Sequence, residues 1–153
     1  MAKNLNYFMR EHKDEVVSVP GPDSFVDENG KVIDLEIRVL SQAEITKINN
    51  NYRKRAIATD KKGQPYIANG EVVFKTEKDN ARATRHMIVE ALVYPNLKDK
   101  ELMDFYKCAD VTDMPTLVFS RADEYSHVTR AVLTALGMMD GQTDDETIDE
   151  AKN

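Results

Sequence analysis

Apolar positions along the chain recur at helical spacing in some stretches and alternate with polar ones in others, and the changes of period mark the elements. Within residues 83–106, Met87, Ile88, Ala91 and Leu92 recur at i, i+1, i+4 and i+5, one stripe of a 3.6-residue helix. Pro95 stops that helix, because a proline disfavours helical geometry at the residue before it. Tyr94 is therefore predicted to leave the helix and residues 96–98 to form a corner. Asp99 then stands where an N-cap belongs, and Leu102, Phe105 and Tyr106 give the next helix its apolar face.

The remaining elements follow from the same criteria. Leu5, Phe8 and Met9 predict an amphipathic helix over residues 4–13, stable only when docked. The valine-rich residues 15–19 are halted by Pro20-Gly21-Pro22, which read as a turn or linker. Asn29-Gly30, set between Phe25-Val26 and the alternating residues 31–40, predicts a hairpin over 24–40 with Ile33, Leu35, Ile37 and Val39 on its buried face. Ser41 and Glu44 have the spacing of a capping box, opening a helix over 41–57 with Ile45, Ile48, Tyr52 and Ala56 on one stripe.

A second Asn-Gly pair, Asn69-Gly70, predicts a hairpin over 65–75, with Pro65 pointing to an edge or a projecting arm. Helices then fill 78–136: one ending near Tyr94, one after Asp99, a short piece after Pro115, and a last one carrying Tyr125, Val128, Val132 and Leu136, capped by Gly137. The predicted fold class is α+β, with small antiparallel hairpins in the N-terminal half packed on a mainly α-helical C-terminal half. Residues 1–139 form a single domain. Residues 140–153 hold one large apolar side chain, Ile148, and read as a flexible acidic tail.

Composition narrows the class. A chain of 153 residues and 17.4 kDa is large enough for a hydrophobic core without disulfides or metals. It lacks an apolar run long enough to span a membrane and an apolar N-terminal leader, and its single cysteine, Cys108, suits a reducing compartment; the expected location is cytoplasmic. Of the net charge of -6, residues 138–153 carry -5, which leaves the body nearly neutral. Arg53-Lys54-Arg55 and Lys61-Lys62 are the basic groupings, read as the last turn of a helix and a solvated loop. A nucleic-acid partner is accordingly not expected.

Catalytic chemistry does not emerge. His12, His86 and His127 fall on separate predicted elements without HExxH, HxH or CxxC spacing, the glycines are scattered, and Ser120 and Ser126 lack a nucleophile-elbow context. Catalytic, metal-ligating and cofactor-binding residues are each read as none, and the protein as not an enzyme.

The LNYFM segment, the FVDENGKVIDLEIRVLS hairpin leading into a capped helix, RHMIVEALVYPNLKDKELMDFY, and the final EYSHVTRAVLTALGM together resemble the XkdN-like tail assembly chaperones of PBSX-type prophages and related long-tailed phages. The resemblance spans roughly residues 4–139, and its most specific part is Leu92, Tyr94, Pro95, Asn96, Leu97, Asp99 and Leu102. At residues 121–124 the chain departs from relatives that carry a Pro-Gly turn. The resemblance implies a small non-enzymatic chaperone that binds the tape measure protein and keeps it soluble while tail tube subunits assemble. It also implies a longer frameshifted form of the chain as a companion, the tail tube protein as a further partner, and absence from the mature virion.

A holding chaperone needs exposed apolar surface for its client. The candidate partner-binding residues are Leu5, Tyr7, Phe8 and Met9, Leu133 off the stripe of the last helix, and the adaptable pair Met138 and Met139. Self-association through a hairpin edge or the first helix, giving a homo-oligomer, is a further expectation. Two other classes compete: a nucleic-acid-binding regulator using Tyr52, Arg53, Lys54 and Arg55, and a structural tail component retained in the particle.

Overall fold

The computed structural model describes residues 3–139. The fold class is α+β, with the strands mostly in the N-terminal half and the helices mostly in the C-terminal half. Its centre is helix α2 (Asn80–Ala91), in which Ala83, Met87, Ile88, Val89 and Ala91 are all buried. A helix buried this broadly needs neighbours on most sides. It has them in α1 (Gln42–Asn50), α4 (Met114–Val118) and α5 (Ala122–Ala135), and in a three-stranded antiparallel sheet.

That sheet has the order β1 (Val16–Pro20), β2 (Asp34–Arg38) and β7 (Leu92–Tyr94). Along β2 exposed and buried residues alternate, with Leu35 and Ile37 turned into the core. Strand β7 follows α2 without a loop and pairs Leu92 with Ile37, so one chain segment supplies both the central helix and a sheet edge. The Tyr94–Pro95 peptide is cis. Asp99 caps α3 (Lys100–Phe105), its carboxylate accepting from Leu102 N at 3.2 Å.

Five stretches depart from the sequence expectation. The predicted helix over 4–13 is a single 3-10 turn, Leu5–Phe8, with no buried residue, because none of the described residues covers its apolar side and a helix this short does not hold itself. The predicted 24–40 hairpin is only the tip of a longer one: Asp34–Arg38 pairs along its length with Val16–Pro20, while Phe25 and Val26 contribute a bridge and a backbone bond. Pro20-Gly21-Pro22 is correspondingly no linker. Gly21 and Pro22 are buried, and Gly21 N donates to Ile33 O at 3.0 Å.

The predicted helix over 41–57 stops at Asn50. Ser41 and Glu44 form the capping box that starts it, but the run Asn49-Asn50-Asn51 is of low helix propensity and the helix ends there. Arg53–Ile57 is strand β3, paired antiparallel with β6 (Phe74–Lys78), so Arg53-Lys54-Arg55 lies in a strand and is not a last helical turn. The helical region 78–136 is likewise interrupted by β7. Between β3 and β6 the chain makes two further turns. One is closed by Gly63, and the other, joining β4 (Ile67–Ala68) to β5 (Glu71–Val72), uses positive φ at both Asn69 and Gly70. Residues 53–78 thus form a projecting β arm, exposed along most of its length.

Candidate partner-binding site

No group of three or more His, Cys, Asp or Glu side chains that could hold a metal ion occurs among the described residues. The histidines have separate surroundings. His86 Nδ1 lies 2.7 Å from the Tyr52 hydroxyl, His127 Nε2 lies 2.9 Å from Pro20 O, and His12 is exposed. Cys108 is half-buried, with its thiol donating to Asp110 O at 2.9 Å, and burial pushes its pKa up. A thiol so placed is a poor nucleophile.

The polar cluster with the most internal order ties α2 to the chain that follows α3. Asp110 accepts from Thr112 Oγ1 at 2.8 Å and Thr112 N at 3.0 Å and pairs with Arg82, while Arg85 Nε donates to Thr112 O at 2.9 Å. The two Thr112 bonds, backed by Arg82, hold the Asp110 carboxyl below the usual carboxylate range. Arg82 Nε is buried without a hydrogen-bond partner among the described residues, while the other contacts of the cluster fix a turn.

Apolar surface is what remains for function. Leu5, Tyr7, Phe8 and Met9 are 67, 84, 83 and 69% exposed, held on the 3-10 turn by Asn4, whose side chain accepts from Asn6 N at 2.9 Å. Four large apolar side chains kept in water at a chain end are costly unless something covers them. Leu133, Met138 and Met139 cluster at the far end of α5. There Gly137 N bonds Thr134 O at 3.0 Å and Met138 N bonds Leu133 O at 2.9 Å, the paired bonds of a Schellman cap. Met138 is 49% exposed, and Leu133 and Met139 are half-buried. The candidates therefore form two separate groups, one at each end of the described chain.

Two further surfaces escaped the sequence reading. A groove of about 640 Å³ runs between the edge strand β1 and α5, lined on the apolar side by Val17, Val19, Ala131 and Ala135. The arm exposes Ile57, Tyr66, Ile67, Val72 and Phe74 beside its basic residues, with the Arg55 guanidinium 4.0 Å from the centre of the Phe74 ring. The alternation of Arg53, Arg55 and Ile57 was the available signal for this strand, hidden by the helical spacing from Ile45 to Ala56. Tyr52, the aromatic a nucleic-acid reading would need as a stacking platform, is half-buried and turned to His86.

Comparison with known proteins assigns this arrangement. The family model described as phage XkdN-like tail assembly chaperone protein matches residues 5–152. The chain belongs to the XkdN-like tail assembly chaperone family. Its relatives include an uncharacterized protein, YqbN, of Bacillus subtilis strain 168, 29% identical with 98% of this chain and 93% of YqbN covered. The phage-like element PBSX protein XkdN of the same strain is 25% identical, with 98% and 94% covered. A crystal structure of YqbN shares the fold, at a TM-score of 0.66 and 24% identity over 92% of this chain and 100% of the other. The resemblance read from the sequence is thus the family, and the chain is a phage or prophage tail assembly chaperone. No helix of the described residues is long and apolar enough to cross a membrane.

Proposed function

We propose that this tail assembly chaperone is a non-enzymatic holding protein whose client is the tape measure protein. It binds that very long helical chain in the host cytoplasm, keeps it soluble while the tail tube assembles around it, and is left out of the finished particle. The observation that carries the reading is the exposed run Leu5, Tyr7, Phe8 and Met9 in a member of this family. Apolar side chains on a short, weakly tethered segment can adapt to the apolar stripe of an amphipathic client and release it. Leu133, Met138 and Met139 provide a second, smaller contact at the opposite end of the chain, and a tail tube protein and a longer frameshifted form of the chain are further partners.

The test is co-expression with the longest helical protein encoded in the same gene cluster. The client is expected to become soluble and to co-purify, and a chain carrying Leu5→Ser, Phe8→Ser and Met9→Ser is expected to lose both effects while melting at the same temperature. Client solubility unchanged across a range of expression ratios would remove the assignment. Mass spectrometry of purified particles separates this reading from that of a retained tail component, since the chaperone is expected to be missing from them.

A further inference from the structure

The arm has two unlike faces. Residues 53–78 carry seven Lys and Arg against three Asp and Glu, a net charge of +4, which leaves -10 for the rest of a chain whose total is -6. The pairing of β3 with β6 places Arg53 opposite Lys78, Arg55 opposite Thr76 and Ile57 opposite Phe74. Alternate residues share a face, so Arg53, Arg55 and Lys78 lie on the same side as Ile57 and Phe74, with no carboxylate among them. On the other face Lys54 sits opposite Glu77, whose carboxylate also pairs with Lys75 at 3.3 Å. That face sets two lysines against one carboxylate, whereas the first has three cations, no carboxylate and an apolar patch at its outer end.

A two-stranded ribbon exposed on both sides is marginal in water, so the cationic face is the one that gains from a cover. The chain holds a complementary segment of its own. In residues 144–150, DDETIDE, Asp144, Glu146, Ile148 and Glu150 fall at every second position, the period at which an extended segment presents one side. That side offers three carboxylates and one branched apolar group to three cations and the Ile57–Phe74 patch. Ile148 lies nine positions after Met139, a reach of up to ~30 Å, about the diameter of a small domain.

We propose that the Arg53, Arg55, Lys78 face of the arm is a docking surface for the chain's own acidic segment, residues 144–150, which seats Ile148 on Ile57 and Phe74. Tethering in the same chain supplies an effective concentration in the mM range, enough for weak exposed ion pairs to hold. Nucleic acid is the weaker fit to the same face, because the charge of -10 on the rest of the chain repels a polyanion.

The experiment follows backbone amide shifts of the full-length chain by NMR, at about 20 mM and about 500 mM salt. Triple neutralisation by Asp144→Asn, Glu146→Gln and Glu150→Gln is expected to move the amides of Arg53, Arg55, Phe74 and Lys78. The docked population is expected to fall roughly ten-fold, each exposed pair contributing about two-fold. High salt is expected to move the same signals the same way. Arg55→Glu with Lys78→Glu is expected to undo docking, and Asp144→Lys, Glu146→Lys and Glu150→Lys added to that variant to restore it. All of these shifts are expected to be independent of protein concentration. Signals indifferent to tail neutralisation overturn the proposal, as does docking that grows with concentration, which would make a second copy the occupant. An oligonucleotide that shifts the arm while tail substitution does not would give the face to nucleic acid. No client is present in this experiment, so its outcome is independent of the tape measure reading.

Discussion

The Tyr52 hydroxyl lies 2.7 Å from His86 Nδ1, joining the residue that begins the arm to the middle of the central helix. Tyr52 O also accepts from Asp79 N at 2.9 Å, so both strands of the arm leave the body at this one residue, and the Tyr52 and His86 rings pack edge to face. Burial is the main cause of the raised Tyr52 pKa, so the phenol stays protonated at neutral pH. Tyr52→Phe keeps the ring and removes the bond. It is expected to cost about 0.5–1.5 kcal/mol in urea unfolding, whereas Tyr52→Ala is expected to cost more and to loosen amide protection at the base of the arm. A Tyr52→Phe variant as stable as the parent would show that the bond is satisfied equally well by water.

Gly21 occupies a place where only a hydrogen fits. A Cβ built on it would lie 2.5 Å from Ile33 O, a backbone atom inside the β1–β2 hairpin that cannot swing aside. Gly21→Ala is expected to destabilise by about 1–3 kcal/mol, the usual cost of overpacking. The contrast is Gly70, whose φ of +77° favours glycine but where an added Cβ would meet no atom of the described residues within 4 Å. Gly70→Ala is expected to cost about 1–2 kcal/mol locally, with the arm's tip affected and the core untouched. Thermal melts of both, read with hydrogen exchange, separate a clash in the sheet from backbone strain in an exposed turn.

What could be read in advance divides along a physical line. Elements whose signal is local were visible: the Ser41–Glu44 box, the Asp99 cap, the turn at Gly30, the stripe of α2 and the stop at Gly137 all depend on residues within a turn of one another. Elements that depend on a distant partner were not. Val16–Pro20 is a strand because it pairs with residues eighteen or so positions ahead, and Arg53–Ile57 because Phe74–Lys78 returns beside it. The sequence between Ile45 and Ala56 satisfied a helical period just as well. Leu97 sits in a loop, and Met114 and Phe119 sit in and just after the short helix α4; all three are buried where no period is long enough to detect. The exposure of Leu5, Tyr7, Phe8 and Met9 was legible, since apolar side chains on a segment too short to be a stable helix have nowhere to hide. The cationic face of the arm was hidden, because it exists only in the register of two strands.

Leu92 ends α2, begins β7 and is 3% exposed, facing Ile37 across the sheet. Leu92→Ala is expected to cost about 2–5 kcal/mol, through lost apolar burial and the cavity left behind. Phe105, larger but 76% exposed on α3, is the control. Phe105→Ala is expected to fall within about 0.5 kcal/mol of the parent by denaturant unfolding. Equal costs at the two positions would mean that α3 is covered in solution by another copy of the chain.

Acid is expected to destabilise the protein through carboxylates whose pKa the fold lowers, Asp110 and Glu44 among them. Asp110 is held below the usual carboxylate range by its two Thr112 bonds and by Arg82, and Glu44 by the Ser41 backbone amide and then Arg38. A carboxylate whose pKa is lower in the folded than in the unfolded chain stabilises the fold when ionised. That contribution is fully present above the unfolded values near ~4 and is lost as pH falls through the depressed folded values. Stability measured by urea unfolding is therefore expected to be flat with respect to these two groups from pH 7 to about 5 and to decline below about 4. Asp110→Asn, which keeps an acceptor for Thr112 but gives up the charge facing Arg82, is expected to be less stable at pH 7 and to decline less steeply in acid. Its curve then converges on that of the parent at the lowest pH. Parallel curves for parent and variant across that range would show that Asp110 titrates alike in the folded and unfolded chains.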